Sequence, residues 1–185
     1  EVHAKGKPEA AARELAAQAA MLYAAGVDPT HIDSHMAAVA HEKFMEGYIA
    51  QAVAHRIPAM LPNPDCRAFA SIVPDAERRA RFAAYLRTLG AQGMPLMDGI
   101  VAMPLDEPKD QTETVRRLFG SLPEGITHFI LHASADSPEL RAITPDWESR
   151  VWNYRTMRSD AVKNIIEREG IVLIGYRALR DAMRG

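Results

Sequence analysis

A chain of 185 residues, 48% hydrophobic and 25% charged, has the length and balance of one soluble globular domain with a substantial core. Its formal net charge of -2, without a concentrated Lys/Arg block, gives no footprint for nucleic acid or an anionic membrane, and neither partner is expected. The single cysteine, Cys66, excludes an internal disulfide, no apolar stretch reaches bilayer length, and a reducing, cytoplasmic setting is expected.

The chain opens at Glu1 in a polar stretch running to Pro8, with no strand or helix signal, as expected of a processed or incompletely represented product. Glu9 to Ala25 is rich in Ala, Leu, Glu and Gln, places Leu15, Ala19 and Leu22 at helical spacing, and stops at Gly26, which predicts a helix. Thr30 to Met36 is a predicted strand, and Glu42 to Arg56 returns to helical spacing through Phe44, Tyr48, Ile49 and Val53. A short strand, Ala59 to Leu61, is closed by the turn-forming Pro62-Asn63-Pro64-Asp65. Asp75 to Leu89 is a third helix, with Glu77, Arg78, Arg79 and Arg81 on one side.

In the later half, Pro95 to Met103 is an apolar run broken by Asp98 and Gly99, and Pro104 to Pro108 is a loop. Thr112 to Phe119 is helical, and Thr127 to Leu131 has the continuous apolar character of a buried parallel strand. Two helices, Pro145 to Tyr154 and Asp160 to Glu169, precede Gly170 and a last buried strand, Ile171 to Gly175, and Arg177 to Arg184 is a closing helix. Strands separated by helices imply parallel pairing in a single α/β domain, layered or barrel-like. Ligands in such folds bind where strands run into the following loops, which directs attention to His35, Asn63, Asp65, His132 and Ser134.

The most informative segment is His31-Ile32-Asp33-Ser34-His35. Alternation along a strand sends His31, Asp33 and His35 to one face, so two imidazoles and a carboxylate share one side. That row suits part of a divalent-metal site, because imidazole is a common ligand and a nearby carboxylate can orient it. It is only part of one, since a closed site needs donors from elsewhere.

Asp28-Pro29-Thr30-His31-Ile32-Asp33-Ser34-His35-Met36 resembles the PTHxDSH signature of the YdjC-like family of carbohydrate deacetylases. The later stretches Pro123 to Thr127, Leu131-His132-Ala133, Ser137 to Ala142, Asp146-Trp147 with Arg150 and Tyr154, and Gly170 to Arg177 are similar to that family's closing region, so the likeness covers nearly the whole chain. The resemblance implies a (β/α) barrel-like fold and removal of acetyl groups from N-acetylated sugars by a divalent ion, Mg or Zn, held by an Asp and two His residues. Carried over by motif, His35 is one metal ligand, His132 the acid or substrate-contacting group, and Asp33 and His31 supporting residues. The family's N-terminal Asp-Asp motif and early histidine have no counterpart here, so the expected architecture is an incomplete barrel lacking its first strands. Met36-Ala37-Ala38 stands where many members carry further histidines, and Ala133 where Pro is expected after His132.

The residues also carry plainer readings. His31 and His132 read as core histidines, and Asp98 as a turn-forming carboxylate or a residue lining the substrate pocket. Trp147 reads as a sugar contact or a packing residue, Arg141 and Arg150 as binders of a substrate carboxylate or phosphate or as solvated partners of Glu139 and Asp146, and Trp147, Val151 and Tyr154 at helical spacing as packing residues. Met94, Met97 and Met103 are core gap-fillers. The expected partner is a small carbohydrate, and the strand edges an incomplete barrel exposes call for cover by self-association as a homo-oligomer or by a further segment. A noncatalytic carbohydrate-binding protein on a degenerate deacetylase scaffold is the competing function.

Overall fold

The structure, a computed structural model, describes residues 2–185. Helices α1 (Val2–Lys5), α2 (Pro8–Ala24), α3 (Glu42–His55), α4 (Phe69–Ile72) and α5 (Ala76–Ala91) precede strand β1 (Gly99–Ala102). Then follow α6 (Thr112–Phe119), β2 (Thr127–Ile130), α7 (Pro138–Ile143), α8 (Trp147–Met157), α9 (Asp160–Arg168) and α10 (Tyr176–Arg184). The fold is mixed α/β, and no helix among the described residues is long and apolar enough to cross a membrane.

The chain divides into two compact units, and the first comprises residues up to Pro64, Val73–Leu96 and Ile174–Gly185. Its core gathers Phe44, Tyr48 and Ile49 of α3, Ile57, Ala59 and Leu61 of the following segment, and Leu86 and Leu89 of α5, all buried. The Ala-rich α2 packs closely on α3, because Gly47 has no side chain: a Cβ there would lie 3.0 Å from that of Ala12. Asp75 caps α5 by accepting from the Arg78 N–H at 2.8 Å, satisfying one of the donors that every helix start leaves open.

The second unit comprises Asp65–Ile72 and Met97–Leu173. Its β1 and β2 pair in parallel, with Gly99 opposite Thr127 and Ala102 opposite Ile130. Met103, Val115, Phe119, Val162 and Ile165 form the core beside them, drawn from α6, α9 and the end of β1. Phe119 meets Phe129 of β2 edge to face at 5.1 Å. Ser137 and Ser159 cap α7 and α9 through their hydroxyls. Met94, Met97 and Met103 are buried, as their reading as gap-fillers anticipates.

Three expected strands are absent. Thr30 to Met36 reduces to a single parallel bridge between Ile32 and Ala59, because Met36 (φ 52) and Ala37 (φ 53) turn left-handed, and extended backbone cannot continue through them. Ala59 to Leu61 contributes only its side of that bridge, although Ala59 and Leu61 are buried as a strand would bury them. Ile171 to Gly175 forms no strand: Ile171 packs partly against the core of the second unit, but Val172, Leu173 and Ile174 are 80%, 71% and 54% exposed. The polar opening stretch carries the one-turn α1, and α4 and α7 arise where no element was expected.

Candidate functional site

In the first unit, the His31–His35 segment divides its side chains between structural work and solvent. His31 is half-buried, lies flat on Tyr176 of α10 with ring centroids 4.0 Å apart and 6° between planes, and places Nδ1 3.0 Å from the Thr30 hydroxyl. Asp33 accepts the Ser34 N–H at 2.6 Å, and the Ser34 hydroxyl accepts the Val39 N–H at 3.0 Å, so this pair builds the turn after it. His35 opens a single 3₁₀ turn and is exposed, with no hydrogen bond to its ring among the described residues. The single row of side chains expected for a continuous strand therefore ends before His35.

Tyr48 anchors the segment from beneath. Its buried hydroxyl donates to the Ile32 carbonyl at 2.9 Å and receives the Met60 N–H at 3.3 Å, joining both sides of the Ile32–Ala59 bridge. Burial pushes the Tyr48 and Tyr176 phenols well above their ordinary range, with the Asp33 charge adding to the effect, so both stay protonated.

In the second unit, His132 follows β2 directly. Its backbone N–H donates to the Asn153 amide oxygen at 3.1 Å, and its Nδ1 is buried with no hydrogen-bond partner. Asn153 in turn donates to the Gln111 side-chain oxygen at 2.8 Å. Gln111 sends its backbone N–H to the Thr156 hydroxyl at 3.2 Å and its amide to the Glu107 carbonyl at 2.9 Å. Gln111, Asn153 and Thr156 are buried, so this network fixes the end of β2 inside the protein. The sequence reading missed it. The available signal was a polar stripe, Ser149, Asn153 and Thr156, at helical spacing along α8.

Asp98 sits at the start of β1 and accepts the Ile126 N–H at 2.8 Å, tying β1 to the turn before β2. Arg141 pairs with Asp136, not with Glu139, through Nε at 2.8 Å and Nη2 at 2.9 Å. A carboxylate five residues back across the α7 N-cap meets the guanidinium fork end-on, whereas Glu139 lies two positions away on the same helix, where side chains diverge. That pairing holds the Asp136 carboxyl below its usual range. Arg141 also lies over the Trp147 ring, 4.3 Å from its centroid. Arg150 pairs with Asp146 at 2.6 Å, the partner expected for it, and this contact, with the Thr144 hydroxyl, holds Asp146 down at about 2. Val151 packs inside, while Tyr154 is 37% exposed and lies under Arg158, because it falls on the outer side of α8.

Among the described residues no three His, Cys, Asp or Glu side chains converge to hold a metal ion. The present donors amount to one exposed imidazole, His35, with Asp33 already engaged, and they do not form such a site by themselves.

Comparison with known proteins defines the class: the chain belongs to the YdjC-like protein family, whose profile it matches over residues 1–168. It is 27% identical over 186 aligned residues to a carbohydrate deacetylase of Thermus thermophilus, an alignment covering 97% of this chain and 63% of that protein. A crystal structure of a candidate cellobiose-phosphate cleavage protein from Enterococcus faecalis shares the fold with TM-score 0.60 and 20% identity, over 83% of this chain and 54% of that one. The chain thus spans less than two thirds of the length of either relative.

Proposed function

We propose that this chain forms the greater part of a carbohydrate deacetylase that hydrolyses the acetamide of an N-acetylated sugar, on a barrel-like scaffold of which the parallel pair β1 and β2 is a portion. The observation that carries the reading is the Asp33-Ser34-His35 segment within a family match over residues 1–168, and the name of the Thermus relative supports it. His132 stands at the carboxyl end of a parallel strand, where α/β folds bind substrates.

In the reaction, water adds to the acetyl carbonyl, the C–N bond breaks, and acetate and a free amine leave. The departing nitrogen needs a proton, and an imidazole with an ordinary pKa of ~6.5 can hold one near neutrality. We assign that donation to His132. His35 is assigned as one donor to a divalent ion, Mg or Zn, which when bound polarises the carbonyl and supplies activated water. The other donors would come from segments of the relatives that this chain does not span. Asp98, Arg141 and Trp147 are assigned to substrate contact, with Asp33 and His31 supporting the turn that carries His35.

A noncatalytic sugar-binding protein is the second reading, favoured by the lack of three converging donors among the described residues. Acetate release from N-acetylglucosamine oligomers by the full-length protein, measured with added Mg or Zn, decides between them. His132→Ala and His35→Ala are each expected to lower kcat by ~100-fold or more. Activity equal to the parent in both variants would remove these histidines from the mechanism, and no acetate release under any metal would leave the binding reading.

A further inference from the structure

The loop leaving β2 runs back along α8, where the Ser134 N–H donates to the Arg150 carbonyl at 3.2 Å. Between that loop and α8 lies a hollow of about 260 Å³ lined by Asp136, Trp147, Glu148, Val151, Trp152 and Arg155. It is smaller than the ~300–1,000 Å³ of drug-sized sites and has room for one sugar ring. The chain has two tryptophans, and both line this hollow. Arg155 lies 5.4 Å from the Trp152 ring centroid, and Arg141, over Trp147, is held there by Asp136.

Charge decides the ligand class. Among its lining residues the carboxylates of Asp136 and Glu148 outnumber the one guanidinium, Arg155, and Arg141 pairs with Asp136 beside them, so the hollow has no positive charge excess with which to favour a phosphate or a carboxylate. Its lining combines two indoles, a ring type that suits the apolar side of a sugar, with carboxylates and a guanidinium group that can accept from and donate to hydroxyls. We propose that this hollow is a saccharide subsite that seats one pyranose unit of an uncharged sugar on Trp147 and Trp152, with Asp136, shortly beyond His132 in the chain, at its edge. The assignment rests on reading the protein as sugar-acting, but it concerns binding and stands apart from hydrolysis.

Tryptophan emission tests it directly, since every indole in the chain reports from the hollow. The 185-residue chain is titrated with N-acetylglucosamine, its β-1,4-linked dimer and glucose 6-phosphate, and the indole Nε1–H resonances are followed in parallel by NMR. The neutral sugars are expected to give a saturable change at both indoles. Trp152→Leu and Asp136→Asn, with thermal midpoints confirming that they fold, are expected to weaken the dissociation constant about tenfold. If Trp152→Leu does not fold, the parent's indole resonances and Asp136→Asn carry the test. No change at either indole up to about 50 mM neutral sugar, a response to glucose 6-phosphate alone, or undiminished binding in the folded variants would overturn the proposal. Saturable binding together with no acetate release by the full-length protein would count against the deacetylase reading only, and acetate release by that protein with silent indoles against this subsite only.

Discussion

Arg56 and Arg184 cap each other's helices. Arg56 follows α3 in a left-handed conformation, and its Nη2 donates to the carbonyls of Met183 and Arg184 at 3.1 and 2.7 Å, at the end of α10. Arg184 returns the contact, donating through Nε to the Arg56 carbonyl at 3.1 Å and through Nη2 to that of His55 at 3.2 Å. Each cation thus meets the negative end of the other's helix. Arg56→Ala and Arg184→Ala are each expected to cost ~1–2 kcal/mol. All four bonds run to backbone carbonyls, so truncating one arginine leaves the other's bonds in place and the double variant should cost about the sum of the two, which urea unfolding in a double-mutant cycle measures.

Removing the Tyr48 hydroxyl deprives the Ile32 carbonyl and the Met60 N–H of a shared partner at the point where two extended segments touch. Tyr48→Phe is expected to lower stability by ~1–3 kcal/mol. The urea midpoint should fall with little change in its slope. An unchanged midpoint would show that the bridge does not depend on this hydroxyl.

Met36 and Ala37 both occupy the left-handed region that disfavours side chains, directly after His35. Ala37→Gly is expected to stabilise the protein by ~0.5–1 kcal/mol, relief of steric strain outweighing the greater freedom of the unfolded chain. Ala37→Val is expected to destabilise it. Thermal midpoints of the two variants should therefore move in opposite directions.

Asp146, held at about 2 by Arg150 and Thr144, is more acidic folded than unfolded, where its pKa is ~3.9. Its stabilising contribution is therefore complete above the unfolded value and fades as pH falls through the folded one. The difference in thermal midpoint between the parent and Asp146→Asn should be constant above pH ~5 and shrink between ~4 and ~2. A constant difference across that range would show that the ion pair does not contribute.

Asn153→Ala would leave the Gln111 amide oxygen and the His132 N–H without their partner in a buried setting. A loss of ~2–4 kcal/mol is expected, with faster hydrogen exchange at His132 than at the β1–β2 ladder. Asn153→Ser, which can keep one of the two bonds, should recover part of the loss.

The helices were legible because their signals are local. The predicted Thr112 to Phe119 helix has the observed boundaries, and α2, α3, α5 and α9 lie within about two residues of their predicted ends. Strand β2 was legible as a continuous apolar run, whereas β1 lies in the run Pro95 to Met103 that Asp98 and Gly99 interrupt, and the sequence pattern assigns no strand there. The break in the Thr30–Met36 strand was not legible, because nothing in Met36-Ala37 announces two left-handed residues, and ordinary side chains seldom adopt that conformation. Ile171 to Gly175 is apolar enough for a buried strand, but burial needs a neighbour, which a sequence pattern cannot supply. At the candidate site, the Asp146–Arg150 pair was legible from its i,i+4 spacing. Asp136 as the partner of Arg141, and Gln111 as the far end of the network behind His132, depend on contacts between segments distant in sequence or across a helix start.

Gly125 holds a positive φ of 106 beneath Asp98, and a Cβ on it would fall 2.1 Å from the Asp98 carboxylate oxygen. The two positions therefore have one joint vocabulary: any side chain at 125 evicts the carboxylate, and without that carboxylate the Ile126 N–H loses its acceptor. A change at either position is tolerable only alongside a rebuilt turn, so the register of the parallel pair is inherited as a unit with this two-residue latch.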